Sequence, residues 1–354
     1  MSARLELRAL TGARGIAAWL VVFYHLRLSL PPLLDPVAAV IERGYLAVDF
    51  FFVLSGFVIA LSWRDRIEQR GWAAVPAFLK RRFARVWPLH AFVLTGGVAL
   101  AAALWATGRH VPDDFPFAEL PLHYLLIQNW GLTPALSWND PAWSISAEFA
   151  AYLAFPALVL IASGRRLPPA AWVALIVMIA AMFAAANEVR GAAGLNFGIA
   201  QFGVIRCLAG FSIGMIVHTL WSSRRGFGPV AGIAVLAFVA AAIGWADEAL
   251  AVPLIFAGIV FALAYRDPRW LGGTVLHRLG EWSYATYLSH FLMWKAFKLA
   301  FVHAPGSVEW PLIGVYLALM LPVSALLYRF VELPAQAWIN RTPAKAGARK
   351  RAPA

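Results

Sequence analysis

The sequence predicts an all-α integral membrane protein, a bundle of about ten transmembrane helices with both termini in the cytoplasm. Of its 354 residues, 61% are hydrophobic and only 14% are charged. Apolar runs of about 20 residues, the length of a membrane-spanning helix, recur along the chain. Such runs are about twice as long as a barrel strand, which favours helices. The distribution of basic residues, described next, supports the same fold class.

Ten spans can be drawn on these apolar runs. They cover residues 9–30, 44–63, 89–107, 142–163, 169–186, 198–220, 229–245, 250–265, 283–303 and 310–331. With the N-terminus placed in the cytoplasm, the outside loops contain only Arg43, Arg109 and Arg190 as basic residues, while most other Lys and Arg residues fall in the inside segments. Membrane proteins concentrate Lys and Arg on the cytoplasmic side in this way. We therefore predict a multi-pass membrane protein.

Composition also excludes several classes of protein. The net charge of +12 could indicate a nucleic-acid partner, but the basic residues follow the membrane topology, so we expect none. The single Cys207 excludes a disulfide framework, and no Cys/His cluster has metal-site spacing. The first apolar run is too long for a cleavable signal peptide. Residues 1–334 are predicted to form the membrane domain, and the basic stretch 335–354 a disordered cytoplasmic tail.

Two connecting segments are unusual. The inside segment 64–88 contains seven basic residues. The outside segment 108–141 is the longest loop, and its middle part, residues 117–130, is apolar. We expect this part to lie in the membrane interface or to dip into the membrane.

Arg14 and His25 both lie in the first span. Eleven residues at about 100° and 1.5 Å each bring a helix back to within roughly 20° of its starting face. The two side chains should therefore share one face, about 16 Å apart along the axis. Because charged groups in lipid cost several kcal/mol, this face should line a protein interior or a wet cavity.

The only acidic residues within the predicted spans are Asp49 and Glu148. Counted from the span ends, His25, Asp49 and Glu148 lie at similar depth, roughly 7–9 Å below the outer boundary. A histidine beside carboxylates can activate a hydroxyl nucleophile. Two simpler interpretations stay open: His25 could hydrogen-bond between helices, and Asp49 could pair with Arg206. Arg14 lies deeper, where it could hold an anion arriving from the cytoplasm.

These residues belong to seven motifs that occur in order along nearly the whole chain. The motifs are Arg14-x10-His25, Gly44-x4-Asp49-x5-Ser55-Gly56-Phe57, Arg82-x2-Arg85-Val-Trp-Pro88, Pro141-x-Trp143-Ser144-x3-Glu148, Arg206-x7-Gly214, Leu279-Gly280-x2-Ser283-Tyr284-x5-His290 and Tyr328-x3-Glu332-x-Pro334. This series resembles the acyltransferase-3 family, bacterial membrane O-acyltransferases that use acyl-CoA to modify surface glycans and antibiotics. Many members add a C-terminal extracytoplasmic hydrolase-like domain, which this sequence lacks, so transfer outside the cytoplasm would use the membrane domain alone or a separate periplasmic partner.

The resemblance implies an enzyme of the bacterial inner membrane. Its co-substrate would be acyl-CoA, in the simplest case acetyl-CoA, and it would have no tightly bound cofactor. Arg82 and Arg85 would bind coenzyme A, since arginine engages phosphate bidentately, and Arg14 would contact its nucleotide or pantetheine arm. His25 would act as general base, oriented by Asp49 or Glu148. The acceptor would be a carbohydrate such as lipopolysaccharide, an exported polysaccharide or a lipid-linked glycan.

The sequence is compatible with three alternative functions or mechanisms. One is the same chemistry on a macrolide or lipid hydroxyl, and another is a route through an acylated residue. The third is a proton-coupled transporter or flippase that uses the buried histidine and carboxylates as a relay.

The remaining motif residues receive mainly structural interpretations. Ser55 and Gly56 should permit close helix contact. Glu332 should pair with Arg329 or with the basic segment. His290, placed nearer the cytoplasmic end of its span, could lie on the pantetheine path. Trp130, Trp138 and Trp143 could anchor the protein in the interface or stack on a sugar.

Overall fold

A computed structural model describes residues 7–192, 194–224, 227–302 and 306–341, and no strand occurs among them. The helices are α1 (Arg8–Leu26), α2 (Asp35–Glu42), α3 (Ala47–Arg70), α4 (Val75–Ala106), α5 (Leu120–Tyr124), α6 (Ala142–Ala162), α7 (Pro169–Val189), α8 (Ile199–Ser222), α9 (Phe227–Ala242), α10 (Glu248–Arg266), α11 (Thr274–Phe301), α12 (Trp310–Leu327) and α13 (Leu333–Asn340). A π-helical turn, Tyr328–Glu332, joins α12 to α13.

Each of the ten predicted spans lies on one of the longer helices. Seven helical stretches are long and apolar enough to cross a membrane, and one of these, Asp35–Ala106, contains both α3 and α4. Helix α9 is shorter, with 16 residues, and α11 is too polar along its length to meet the same criterion. The predicted all-α membrane fold is confirmed, whereas the cytoplasmic placement of the termini stays a prediction.

Helices α1 and α11 pack side by side and run in the same direction. Gly15 lies against Gly280 near the start of both helices, and His25 lies against His290 further along. A methyl group on Gly280 would collide with the carbonyl oxygen of Thr11. Glycine is therefore required for this close approach, as at many helix contacts in membranes.

Helices α3 and α8 form a second close pair. A methyl group on Gly56 would overlap the carbonyl oxygen of Phe211, and one on Gly214 would overlap that of Val53. The structural role predicted for Gly56, close helix contact, is confirmed.

The long segment between α4 and α6 descends into the bundle alongside α4. Trp87 donates through its indole Nε1 to the carbonyl oxygen of Tyr124 at 2.8 Å, and His90 Nε2 lies 2.8 Å from the carbonyl oxygen of His123. Trp87 is in the first half of α4, so the chain returns past the middle of that helix before α6 begins. The segment therefore enters the helix bundle, and its position relative to the membrane stays a prediction.

Two of the tryptophans considered as interface anchors or sugar platforms are in fact core residues. Trp138 is completely buried and donates through Nε1 to the carbonyl oxygen of Pro116 at 3.0 Å. Trp143 is also buried, against the ring of Phe52. Both lie inward because the descending segment folds against the bundle. Trp130 keeps 37% exposure.

The predicted tail begins as a helix, since residues 335–340 belong to α13. The rest of that tail, from residue 342 onward, lies outside the described residues.

Candidate functional site

A cavity of about 180 Å³ opens between α1, α3, α4, α6 and α11, and we call it the arginine cavity after Arg14, Arg82 and Arg85 in its wall. The structure brings together eight of the residues singled out from the sequence. The lining includes Arg14, Ser55, Arg82, Arg85, Ser144, Glu148, Ser283 and Tyr284. It does not include His25, Asp49, Arg206, His290 or Glu332.

The three arginines have different partners. Arg14 Nη2 donates to Ser283 Oγ at 3.0 Å, which ties α1 to α11. Arg85 forms an ion pair with the buried Glu332. The Nε atom of Arg82 is buried and makes no hydrogen bond within the described part of the chain. Glu148 is the one carboxylate in the described lining, so the wall carries excess positive charge and suits an anionic ligand.

The ion pair of Arg85 with Glu332 confirms one of the two partners predicted for Glu332, the basic segment. The π-helical turn ends at this glutamate, and its side chain is almost completely buried. The contact therefore fixes the end of α12 against α4.

Glu148 hydrogen-bonds to the side chains around it in the cavity. Ser55 donates its hydroxyl to Glu148, and the hydroxyl of Tyr152 is a second partner of that carboxylate. Tyr152 was missed from the sequence. It lies four residues after Glu148 in α6, which puts the two side chains on one helix face, and that spacing was the available signal.

The predicted common depth of Asp49 and Glu148 is wrong. Glu148 meets Ser55, which lies six residues, about 9 Å, further along α3 than Asp49. The reason is the descending segment, which starts α6 inside the bundle rather than at its end.

Asp49 and Arg206 form a buried, bidentate ion pair between α3 and α8. Arg206 Nε donates to one carboxylate oxygen at 2.8 Å and Nη2 to the other at 2.6 Å. Arg206 Nη1 donates to the carbonyl oxygen of Leu195 at 2.7 Å. Asp49 makes no hydrogen bond to His25 in the described structure. The pairing with Arg206 that the sequence left open is the one observed, and the expected orientation of His25 by Asp49 is not.

His25 instead meets His290. Its Nδ1 lies 2.9 Å from the carbonyl oxygen of Val21 and 3.2 Å from His290 Nε2. His290 Nδ1 in turn lies 3.2 Å from the carbonyl oxygen of Thr286, which can only accept a hydrogen bond. We call His25 and His290 the histidine pair.

These contacts assign the ring protons of the histidine pair. His290 Nδ1 carries a proton that it donates to Thr286, so His290 Nε2 is an acceptor. His25 Nδ1 carries a proton that it shares between Val21 and His290, so the lone pair of His25 resides on Nε2. That atom makes no hydrogen bond within the described residues.

The predicted position of His290, in the first half of its span, is wrong. Helix α11 begins at Thr274 rather than at residue 283, so His290 lies in its second half. That register places it level with His25. The shared face predicted for Arg14 and His25 is confirmed, because both side chains contact α11.

One aromatic side chain separates the arginine cavity from the histidine pair. Tyr287 lines the cavity, and its ring centroid is 6.1 Å from that of His290. Its hydroxyl donates to the carbonyl oxygen of Pro141 at 3.1 Å and lies 2.7 Å from Ser144 Oγ. The histidine pair is therefore the next layer beyond the cavity wall.

A second cavity, of about 560 Å³, lies beyond the histidine pair at the far ends of α1 and α11. We call it the lysine cavity after Lys295 and Lys298, which line it with Arg109 and Asp114. These lysines were missed, although their spacing of three residues in a predicted span places them on one helix face. Phe291 connects the layers, because its ring lies 5.4 Å from that of His25 and 4.8 Å from Lys295 Nζ.

Comparison with known proteins adds the family to this geometry. Residues 7–329 match the profile of the acyltransferase-3 family, described as an acyltransferase domain. The chain belongs to this acyltransferase family. Enzymatic acyl transfer by a multi-pass membrane protein is thereby established for the acyltransferase described here, and the family predicted from the seven motifs is confirmed.

Two of three named relatives have names that agree with this assignment. The acyltransferase is 30% identical over 327 residues to Acyltransferase MdmB of Streptomyces mycarofaciens, with 82% of this chain and 79% of that protein covered. It is 25% identical to BcsY of Komagataeibacter xylinus, named as a membrane-bound transacylase, with 96% and 85% covered. It is 34% identical over 151 residues to Protein 2 in picA locus of Rhizobium radiobacter, covering 39% of this chain and 75% of that protein. No solved structure matches the chain.

Proposed function

We propose that the acyltransferase moves an acyl group, in the simplest case acetyl, from cytoplasmic acyl-CoA to a hydroxyl of a cell-envelope or exported carbohydrate. One observation carries this proposal. A single cavity gathers Arg14, Arg82 and Arg85, and its wall residue Tyr287 contacts His290. His290 is in turn the partner of His25, whose Nε2 is free to accept a proton.

The arginine cavity is the proposed donor site. Arginine side chains suit the phosphates of coenzyme A because they stay charged and can donate two parallel hydrogen bonds. The cavity volume is below the roughly 300–1,000 Å³ typical of ligand pockets. It therefore accommodates the acyl end and part of the pantetheine arm, while the nucleotide stays at the predicted cytoplasmic mouth near Arg82.

His25 is the proposed general base. Its Nε2 takes the proton of the acceptor hydroxyl while the hydroxyl oxygen bonds to the thioester carbonyl carbon. The tetrahedral intermediate then collapses, the carbon–sulfur bond breaks, and the imidazolium of His25 returns the proton to the leaving thiolate. The products are an ester and free coenzyme A. For this step the thioester must reach past Tyr287, so rotation of that ring is part of the proposal.

His290 takes the orienting role that the sequence analysis gave to a carboxylate. Its Nε2 accepts from His25 Nδ1 and so supports the tautomer whose Nε2 is basic. A neutral partner holds His25 without fixing a negative charge beside it. Asp49, held by Arg206, is assigned to stability and not to the reaction.

The transporter alternative finds little support in this geometry. A proton relay needs its titratable groups within hydrogen-bond reach of one another. Here His25 meets His290, Asp49 meets Arg206, and Glu148 meets Ser55. The three groups of the supposed relay thus have separate partners.

The test uses purified full-length protein and acetyl-CoA. Wild type should bind acetyl-CoA in the micromolar range, about −8 kcal/mol. Arg82→Gln should weaken binding at least tenfold, because it removes a guanidinium whose Nε has no hydrogen-bond partner among the described residues. His25→Ala should bind normally and lose about 10²–10⁴-fold in turnover, the usual contribution of a general base. Binding is measured by calorimetry and turnover by release of free thiol.

Matched variants control for indirect effects. Arg81→Gln removes an exposed neighbouring charge and should leave binding unchanged. His218→Gln removes a buried histidine packed on Phe57 of α3 and should leave turnover unchanged. Equal binding by the Arg81 and Arg82 variants, or normal turnover by His25→Ala, would refute the proposal.

A further inference from the structure

The lysine cavity carries more positive than negative charge. Its wall includes the cations Arg109, Lys295 and Lys298 and the carboxylate of Asp114. Asp140 lies close enough to interact electrostatically with Lys295 and Asp114, and burial raises the pKa of its carboxyl group. Three cationic side chains therefore face two carboxylates, those of Asp114 and Asp140.

Two of the three cations lack an anionic partner. Lys295 is paired with Asp114. Lys298 contacts no carboxylate within the described residues, and its ammonium lies 5.7 Å from the centre of the Trp294 ring. Arg109 is exposed, and its side chain forms no ion pair with any of the described residues. An anion entering the cavity would thus meet uncompensated charge.

This charge lies next to the proposed base. Lys295 Nζ lies 4.8 Å from the centre of the Phe291 ring, and that ring also contacts the ring of His25. Ser29, one helical turn beyond His25 in sequence, also lines the lysine cavity. A molecule bound on the lysines would therefore extend to His25 from the side opposite the arginine cavity.

We infer that the lysine cavity binds a phosphate or diphosphate group carried by the hydroxyl acceptor. This inference rests on the proposed function and narrows its acceptor to an anionic class. A lysine ammonium binds phosphate as a point charge, and burial beside aromatic rings strengthens the attraction. The acyl donor would then approach from the arginine cavity and an anionic acceptor from the lysine cavity, on opposite sides of the histidine pair.

The decisive experiment measures binding of inorganic pyrophosphate to the full-length protein in detergent by calorimetry. Lys298→Gln should raise the dissociation constant at least tenfold, whereas Lys298→Arg should bind nearly as wild type. Arg82→Gln should leave pyrophosphate binding in the lysine cavity unchanged. If pyrophosphate also binds in the arginine cavity, this variant should lose that second binding event. No binding by wild type, or equal binding by wild type and Lys298→Gln, would overturn the inference.

The same variants separate this inference from the proposed function. Lys298→Gln should still bind acetyl-CoA as wild type does, because the donor site is untouched. One outcome refutes the inference about the lysine cavity but not the proposed function. In that outcome acetyl-CoA still binds and turnover still requires His25, but pyrophosphate binding is the same with and without Lys298. If the dependence on His25 fails, the proposed function fails first.

Competition identifies the source of the phosphate. A short-chain phosphatidylglycerol is compared with the phosphatidylcholine of the same chain length, each added to the pyrophosphate complex. Displacement by the phosphatidylglycerol alone indicates that a membrane lipid headgroup occupies the lysine cavity. Retention of pyrophosphate against both lipids assigns the site to a different phosphate-bearing acceptor, such as a lipid-linked glycan.

Discussion

Two buried polar pairs in the same bundle differ in whether all of their polar side-chain atoms have hydrogen-bond partners. In the pair of Asp49 and Arg206, both carboxylate oxygens accept from the guanidinium, and the remaining nitrogen donates to Leu195. In the histidine pair, the Nε2 atom of His25 makes no hydrogen bond in the described structure. The ion pair, in which every polar atom has a partner, is suited to hold helices together. The histidine pair, in which His25 Nε2 keeps a free lone pair, can accept a proton.

The largest effect is expected from breaking the ion pair on one side. Arg206→Ala leaves the Asp49 carboxylate buried without a partner, which typically costs about 3–5 kcal/mol. We expect little folded protein, measured as the monodisperse fraction in size-exclusion chromatography and by thermal unfolding in detergent.

The double variant Asp49→Leu/Arg206→Met sharpens this result. Replacing a buried ion pair with apolar residues is often neutral or stabilising. We expect folding and thiol release from acetyl-CoA to return together. A folded but inactive double variant would show that Asp49 takes part in the reaction after all.

A smaller effect is expected from changing the partner of His25. His290→Gln removes the hydrogen bond that orients the base, worth roughly 1–3 kcal/mol when a buried group loses its partner. Turnover should fall about ten- to a hundredfold. Acetyl-CoA affinity should stay unchanged, and the pH profile of turnover should shift, because the basicity of His25 depends on this contact. A loss of affinity with normal turnover would contradict a positioning role.

The smallest effect is expected at Tyr316. Its hydroxyl donates to the backbone carbonyl oxygen of His290 at 2.7 Å and not to the ring. Tyr316→Phe should lower stability by about 0.5–1.5 kcal/mol and leave turnover within about twofold. Because it loosens the same stretch of α11, it is the control for His290→Gln. Equal losses of turnover in the two variants would mean that the imidazole of His290 has no specific role.

Much of the fold could be predicted from the sequence because lipid imposes a strong length and charge pattern. The ten spans follow from that pattern, and the spacing of Arg14 and His25 correctly placed both on one helix face, which in the structure contacts α11. The three arginines expected to act together do line one cavity.

The axial position of one helix against another could not be predicted in this way. Span ends were used as a common reference, but α6 starts inside the bundle and α11 starts well before its apolar part. These offsets moved Glu148 away from Asp49 and brought His290 to His25. Lys295 and Lys298 lie within the predicted span 283–303, but no role was predicted for them.

The close packing of α1 against α11 has a consequence for substrate choice. Arg14 and His25 lie in the same helix, so their separation is constant. Glycine contacts near the start of α1 and α11 prevent the two helices from sliding, and this keeps Arg14 level with Ser283 and His25 level with His290. Under the proposed function, the separation of Arg14 and His25 sets the length that the acyl carrier must span between its charged end and its thioester. The acyl group lies past that measured length, so the carrier and the acyl chain can be selected independently by different parts of the protein.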